Sequence, residues 1–282
     1  VPRTRLAPLV LLLAACGHPA PVATPSTPAA APSKLPVGAP LTAPGERMTY
    51  RLSLENIDLA SFTLVTGEQT ALDGKPALLI QSNAVTSSLM NALGQAVDDH
   101  FTTWLDPATG RSLAFHVDEG STTKKGTMEH ADARLGACAD GVIPATFAED
   151  KGAPASEPQH VKACDDVWDL NAFLFVLRRW EAPAGTVATT EVFRSRFLWS
   201  AQVTMGHKES RVTELGELPT LRIDGLVHKL GRDGKSFPDT DDRHFSLWVS
   251  DDADRVPVAL VARTDYGDIK MEITEYQPGA KR

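Results

Sequence analysis

Asp169-Leu-Asn-Ala-Phe-Leu-Phe-Val-Leu-Arg-Arg-Trp180 is the one stretch of this chain that reads as a strong helix. Leu170, Phe173, Leu174, Leu177 and Trp180 fall on one face at helical spacing. Asp169 is placed to cap the first amides. Arg178 and Arg179 suit the negative end, and Pro183 and Gly185 stop the helix. Such a stripe is read as core before it is read as a ligand site. Outward from it in both directions the signal changes to period two.

On the N-terminal side, Met48, Tyr50, Leu52 and Leu54 alternate with polar residues, as a half-buried strand does. Further strands are expected at 62–67, 77–85, 97–105, 113–117 and, more weakly, 126–135. A short helix is expected over 87–93. Asp106-Pro-Ala-Thr-Gly110 reads as a hairpin loop. After Gly185 strands are expected at 186–193, 197–206, 208–215, 218–230, 243–249, 256–264 and 268–276. No internal repeat is evident. Many short strands and one main packing helix imply a mainly β fold. The expected form is a large curved antiparallel sheet or a partly closed barrel.

The first 45 residues are of another kind. Arg3 and Arg5 precede an apolar run, Leu6 to Leu13, too short to span a membrane. Leu13-Ala-Ala-Cys16 resembles the lipobox of bacterial lipoproteins. That resemblance implies a signal peptide over 1–15, acylation of Cys16 and anchoring in the cell envelope. Gly17 rather than Asp after the cysteine favours the outer membrane, facing the periplasm, by the sorting rule of enteric bacteria. Residues 16–45 are rich in Pro, Ala, Thr and Ser and read as a disordered tether. Residues 46–282 then form a single β-rich domain.

Without Arg3 and Arg5 the chain carries 26 basic and 36 acidic side chains, a balance of −10. That argues against nucleic acid, whose binding rests on phosphate neutralisation. Cys138 and Cys164 are the only other cysteines, and in an oxidising compartment an even pair reads as a disulfide. It would contribute about 3.5 kcal/mol in the chain-entropy model. Free buried thiols or half a metal site are the alternatives.

Several residues carry a resemblance. Tyr50 to Leu64, then Asp169-Leu-Asn-Ala-Phe173 with Arg178, then Gly206, Glu209 and Gly216 follow one pattern. Leu247-Trp-Val-Ser-Asp251, Arg255-Val-Pro-Val258, Gly267 and Tyr276 close it. The pattern resembles the bacterial exported family called domain of unknown function 3108. One departure is Ala60-Ser61, where that family's first hairpin carries a glycine. The resemblance implies an exported β-rich domain and no catalytic residues. At the level of fold alone it resembles periplasmic lipoprotein carriers.

No catalytic or cofactor motif stands out. There is no G-x-S-x-G elbow, no HExxH and no phosphate loop. His116-Val-Asp-Glu119 mixes ligand types, and His100 is placed to meet His116 across a hairpin. Both read better as exposed strand residues than as a metal site. Asp239, Asp241 and Asp242, or Asp251, Asp252 and Asp254, lack the EF-hand pattern and read as solvated turns. Arg255 is available to pair with one of the latter. Glu209 reads as a structurally paired carboxylate. The expected function is non-enzymatic: an apolar or amphipathic ligand, or a lipid, glycan or protein partner of the envelope. Trp104, Trp199, Trp248, Phe101 and Phe197 are the candidate lining of a concave face. A structural subunit of an envelope assembly and a hydrolase of envelope polysaccharide are the alternatives.

Overall fold

The computed structural model describes residues 33–88, 90, 98–120, 126–238, 240–264 and 267–280. Cys16, Gly17, Asp239 and most of the helix expected over 87–93 lie outside the described residues. One long sheet dominates, with strand order β11-β12-β13-β14-β15-β16-β17-β1-β2-β3-β4-β5-β6-β8-β9. Its members are β1 (Arg47–Leu54), β2 (Ile57–Leu72), β3 (Lys75–Thr86), β4 (Asp98–Leu105), β5 (Ser112–Gly120) and β6 (Met128–Ala133). After β8 (Ala145–Glu149) and β9 (Ala155–Ser156) come β11 (Val167–Asp169), β12 (Val187–Arg194) and β13 (Phe197–Thr213). The last four are β14 (Gly216–Lys229), β15 (Arg243–Ser250), β16 (Pro257–Thr264) and β17 (Gly267–Gln277). Pairing is antiparallel except between β11 and β12. A separate ribbon pairs β7 (Val142–Ile143) with β10 (Gln159–His160). The loop expected between the cysteines thus contains short strands, and the Cys138–Cys164 disulfide is formed. What the sequence divides at Gly206 is one strand with a bulge: pairing of β13 with β14 shifts between Met205 and Lys208.

The sheet repeats itself. β1 to β6 form one meander and β12 to β17 a second, joined where β17 pairs with β1. Each is entered through a left-handed glycine, Gly45 (φ 86°) and Gly185 (φ 85°). Each opens with an eight-residue strand. Each then bulges its long second strand, after Thr66 in β2 and after Met205 in β13. The amides of Gly45 and Gly185 donate to the carbonyls of Thr66 and Met205 at 2.8 and 2.7 Å. This repeat is one of backbone layout rather than of residues.

The single described α-helix of any length, α1 (Leu170–Arg179), is capped as expected: the Ala172 amide donates to Asp169 Oδ1 at 3.0 Å. It is not one-sided, however. Asn171, Ala172, Phe173, Phe175, Val176, Leu177 and Arg178 are all buried. The curved sheet wraps it, so Met48, Tyr50 and Leu64 from one meander and Val203, Ile223 and Leu247 from the other share its core. A helix enclosed on most sides is buried all round. Polar groups inside are matched by a short chain of bonds. Ser82 Oγ donates to Asn171 Oδ1 (2.8 Å), Asn171 Nδ2 to Thr103 Oγ1 (3.1 Å), and Thr103 Oγ1 to Asp169 Oδ1 (2.8 Å).

The sheet does not close by hydrogen bonds; its ends overlap. Val192 and Phe193 are neighbours on β12 and face opposite ways. Val192 packs in the core around α1, whereas Phe193 joins a second core with Phe101, Phe115, Val117, Leu198 and Leu230. The Phe115 and Phe193 rings meet edge to face at 6.2 Å. The inner face of β4–β6 therefore lies on the outer face of β12–β14, with Cys138 and Cys164 packed against the same core.

The two meanders and α1 are locked by one buried ion pair. Both guanidinium nitrogens of Arg178 reach Glu46 at 3.0 Å, and each side chain is at most 4% exposed. Arg178 also donates to the carbonyls of Asp254 and Arg255, and Tyr276 Oη donates to Glu46. Among the described residues, Arg255 forms no ion pair with the turn acids, contrary to expectation; only its backbone amide donates to Asp252 Oδ1, at 3.0 Å. Its guanidinium donates to the carbonyls of Arg178 and Trp180, satisfying orphan groups at the C-terminal end of α1.

Candidate functional site

Of the five aromatic residues expected to line one surface, two come together. Arg194 faces Phe197 across the tight turn at Ser195 (φ 57°), and Trp199 faces Lys229 across β13 and β14. After Lys229 the chain turns at residues 231–235 and returns, so that the Phe237 amide donates to the Lys229 carbonyl at 2.9 Å. The Phe197 and Phe237 rings stand edge to face, 5.9 Å apart. Lys229 Nζ lies 3.4 Å from the first ring centroid and 4.3 Å from the second. The Arg243 guanidinium lies 5.9 Å from the Trp199 ring.

Three arginines stand near Lys229 at this end of the sheet, of which Arg194 also faces Asp99 and Glu119. Burial, and then the like charges of Arg243, Arg196 and Arg194, hold the Lys229 ammonium below its ordinary pKa. Arg196 is neutralised by Glu157 at 2.8 and 3.1 Å and lies 3.4 Å over Phe147. Among the described residues, no carboxylate forms an ion pair with Lys229. An ammonium on two rings, with other cations close by, suits an anion that carries an apolar stem. The rings can take the stem, and the cations the charge.

The other three aromatics lie elsewhere. Phe101 is 5% exposed in the second core. Trp104 alternates with buried Phe101, Thr103 and Leu105 and so faces outward. Trp248 also faces outward, between inward Leu247 and Val249, yet is only 7% exposed. Its cover is the far end of the β13–β14 hairpin, folded back at the bulge. There Trp248 Nε1 donates to Glu209 Oε1, and Arg211 lies 3.9 Å over the ring. The same arm reaches Glu272 through Arg211 and Arg51 through Glu214. Gly206 permits the fold-back, since a Cβ there would stand 2.8 Å from the Arg222 carbonyl oxygen. Glu209 is thus a structural partner, as its strand position suggests. No concave surface gathers all five residues; the space inside the curve belongs to α1.

On the outer face of β4–β6, His116 does not meet His100. It faces Thr102 and Asp132. Its Nδ1 lies 2.9 Å from Asp132 and its Nε2 3.2 Å from Asp118, while His130 Nδ1 lies 2.5 Å from Asp118. The Asp132 bond, opposed by burial and aided by the charges of Asp132 and Asp118, raises the His116 pKa. Among the described residues, no group of three His, Cys, Asp or Glu side chains is placed to hold a metal ion. No described helix is long and apolar enough to cross a membrane.

The sequence gives little warning of Lys229 and Phe237. The available signal is a lysine ending an apolar strand that pairs with Phe197-Leu-Trp199.

A model of the family described as "Protein of unknown function (DUF3108)" matches residues 47–274. No curated protein matches the chain. Among solved structures, a β-barrel-like protein of domain of unknown function DUF1849 from Brucella abortus is similar, with a TM-score of 0.53 and 13% identity. The match covers 88% of this chain and 100% of that one. An exported protein with a YmcC-like fold from Bacteroides fragilis aligns with a TM-score of 0.37 and 5% identity, over 86% of this chain and 99% of that one. A protein described as a lipoprotein from Parabacteroides distasonis aligns with 0.36 and 7%, over 85% and 99%. The first supports the barrel-like fold; at these identities none bears on activity.

Proposed function

The chain belongs to the DUF3108 family, whose description assigns no activity, and from that premise we propose a non-enzymatic envelope domain that holds an anionic amphiphile by its headgroup. The observation that carries this reading is the Lys229 ammonium seated on Phe197 and Phe237 beside Arg194, Arg196 and Arg243. Because α1 fills the inside of the curve, the ligand is held at the surface rather than enclosed. Acylation of Cys16 and a tether shorter than the expected 16–45 complete the reading: residues 33–45 belong to the domain, since Leu35 is 3% exposed in its core and Ser33 pairs with Ala188. They anchor the domain at the outer membrane, facing the periplasm, within reach of lipid headgroups. The cation–π contacts, worth about 0.5–2 kcal/mol each, hold the Lys229 ammonium in place to meet a headgroup.

Titration of the chain with dodecyl phosphate, followed by tryptophan fluorescence, tests this. Dodecyl phosphate binds, dodecyl maltoside binds at least tenfold more weakly, and Lys229→Met loses most of the difference. Equal binding of the two detergents, or an unaffected variant, overturns the reading.

A second reading is a docking role in an envelope assembly. It rests on the tip of the folded arm, where Val212 is 75% exposed and Leu215 42%.

A further inference from the structure

On the outer face of β5 and β6, two histidines and two aspartates alternate. The Nδ1–H of His116 donates to Asp132 at 2.9 Å, and its Nε2–H donates to Asp118 at 3.2 Å. The Nδ1–H of His130 donates to the other oxygen of Asp118 at 2.5 Å. Asp132, His116, Asp118 and His130 thus form one linked row across the β5–β6 pairing. A neutral imidazole has one N–H and one bare nitrogen, and a bare nitrogen is repelled by an ionised carboxylate. With a carboxylate at each ring nitrogen, His116 carries both protons. His116, Asp118 and His130 are 32–34% exposed, so water screens these charges only in part. The Asp132 bond raises the His116 pKa, and the same bond lowers that of Asp132. Burial works against Asp118, but the His130 bond and the His116 charge outweigh it and lower its pKa too.

The neighbours of this row are few. On β4, His100 stands directly across from Asp118, and Asp98 lies 3.0 Å from His100. On β6, Arg134 adds its charge near Asp132 and pairs with Asp73 at 3.3 Å. On β8, Ala148 and Thr146, which do not titrate, stand across from His130 and Asp132. Glu119 and Glu129 alternate with the row and point to the inner face. That inner face is where the ends of the sheet overlap. β6, β8 and β9 are the last strands at this end and hang from β5. Their Ala131, Ala133, Ala145 and Phe147 share the second core with Phe193 and Leu198 of β12 and β13. Phe147 also lies under Arg196, at 3.4 Å.

We propose that the row is a proton-operated clamp: the His116 imidazolium, bound by Asp118 and Asp132, fastens the flap of β6, β8 and β9 to β5, and loss of its proton loosens that flap from the second core. A histidine whose pKa is raised by folding contributes stability in full below its unfolded value of about 6.5. That contribution is lost as pH rises through the folded value. Asp118 and Asp132, lowered by folding, contribute above their unfolded value of about 3.9 and lose it as pH falls through their folded values. The clamp is therefore tightest between about pH 4 and about pH 6.5 and slackens on the alkaline side. It is separate from Lys229 and does not depend on the amphiphile reading.

NMR titration of the histidine-labelled full chain places His116 above the ordinary histidine value of about 6.5, and Asp132→Asn and Asp118→Asn each lower it. Hydrogen exchange reads the clamp itself. Between about pH 6 and about pH 9, on either side of the ordinary histidine value, protection factors of the β6 and β8 amides fall about fivefold. Those of β1 and β2 hold. In His116→Gln the fall disappears. Three results overturn the clamp: His116 titrating at or below the ordinary value, flap protection that does not fall in the parent, or a fall as large in His116→Gln. Should His116→Gln not fold, the exposed Asp132→Asn takes its place. A smaller fall than in the parent then supports the clamp, and an equal one overturns it.

Discussion

Trp104 in β4 and Trp248 in β15 hold matching places in the two meanders. Each stands opposite an alanine, Ala114 or Ala259, immediately before a shift in register. Yet Trp104 is half-buried on the outer face, while Trp248 is 7% exposed beneath Arg211 and bonded to Glu209. The loops that follow differ in the same way. The first turns at Gly110 (φ 68°), where a Cβ would meet the Gly38 carbonyl at 2.8 Å. The second turns at Arg255 (φ 49°), whose side chain closes the end of α1. One backbone layout thus serves two ends. The first meander offers α1 a hydrogen-bonded wall of Ser82, Thr103 and Ser112. The second supplies the clamps: an arm that crosses the β17–β1 seam, and Arg255 against the helix.

The comparison breaks most visibly at the lock shared by both halves. Arg178→Ala leaves Glu46 charged and buried and costs about 3–5 kcal/mol in urea unfolding. The double replacement Arg178→Met with Glu46→Leu recovers a large part of that, because no unpaired charge remains. A loss under 1 kcal/mol for Arg178→Ala would remove the lock from the account.

Next in size is a pH effect that belongs to the first meander's wall. Burial, opposed by the Ala172 amide, Ser112 and Thr103, raises the Asp169 pKa to about 6, and its buried Oδ2 has no hydrogen-bond partner among the described residues. The folded chain therefore keeps a proton that the unfolded chain has released between about pH 4 and 6. This group's contribution is full below about pH 4 and falls as pH rises through that window, by about 3 kcal/mol in all. Asp169→Asn, which keeps the helix cap, flattens that part of the stability profile. An unchanged slope would show that Asp169 ionises freely.

The smallest effect separates the two bulges. At Gly206 an added Cβ meets the Arg222 carbonyl oxygen at 2.8 Å, whereas at Gly67 its nearest neighbours are Leu79 atoms at 3.4 Å. Gly206→Ala costs about 1–3 kcal/mol by overpacking, and Gly67→Ala stays within about 0.5 kcal/mol. Equal costs would mean that the arm does not depend on its glycine.

Local pattern carried a good part of this molecule. The alternation from Met48 to Leu54, the Asp169 cap and the pairing of Cys138 with Cys164 are all visible in sequence, because each depends on near neighbours or on there being only two cysteines besides Cys16. What was hidden is long-range. Alternation separates Val192 from Phe193 but cannot tell that both faces of β12 are covered. The helical stripe indicates one buried side, and only the wrapped sheet buries Arg178. Glu46 and Arg178 lie 132 residues apart, and nothing at either position announces the other. The meanders match in bulges and turns rather than in residues, so the repeat leaves little trace in sequence. The aromatic residues were legible as a set but not as a place: alternation sends Trp104 and Trp248 outward, and of the five only Phe197 and Trp199 meet Lys229 and Arg243.

The central claim is that the domain holds an anionic amphiphile at Lys229, on its surface. Native mass spectrometry of the full chain, extracted mildly from the envelope, tests it most directly. The account predicts one anionic amphiphile per chain, lost from the double variant Lys229→Met with Arg243→Ala and retained when Val212→Asp alters the arm tip. A chain that emerges without such a ligand, or a double variant that carries it undiminished, would contradict the account.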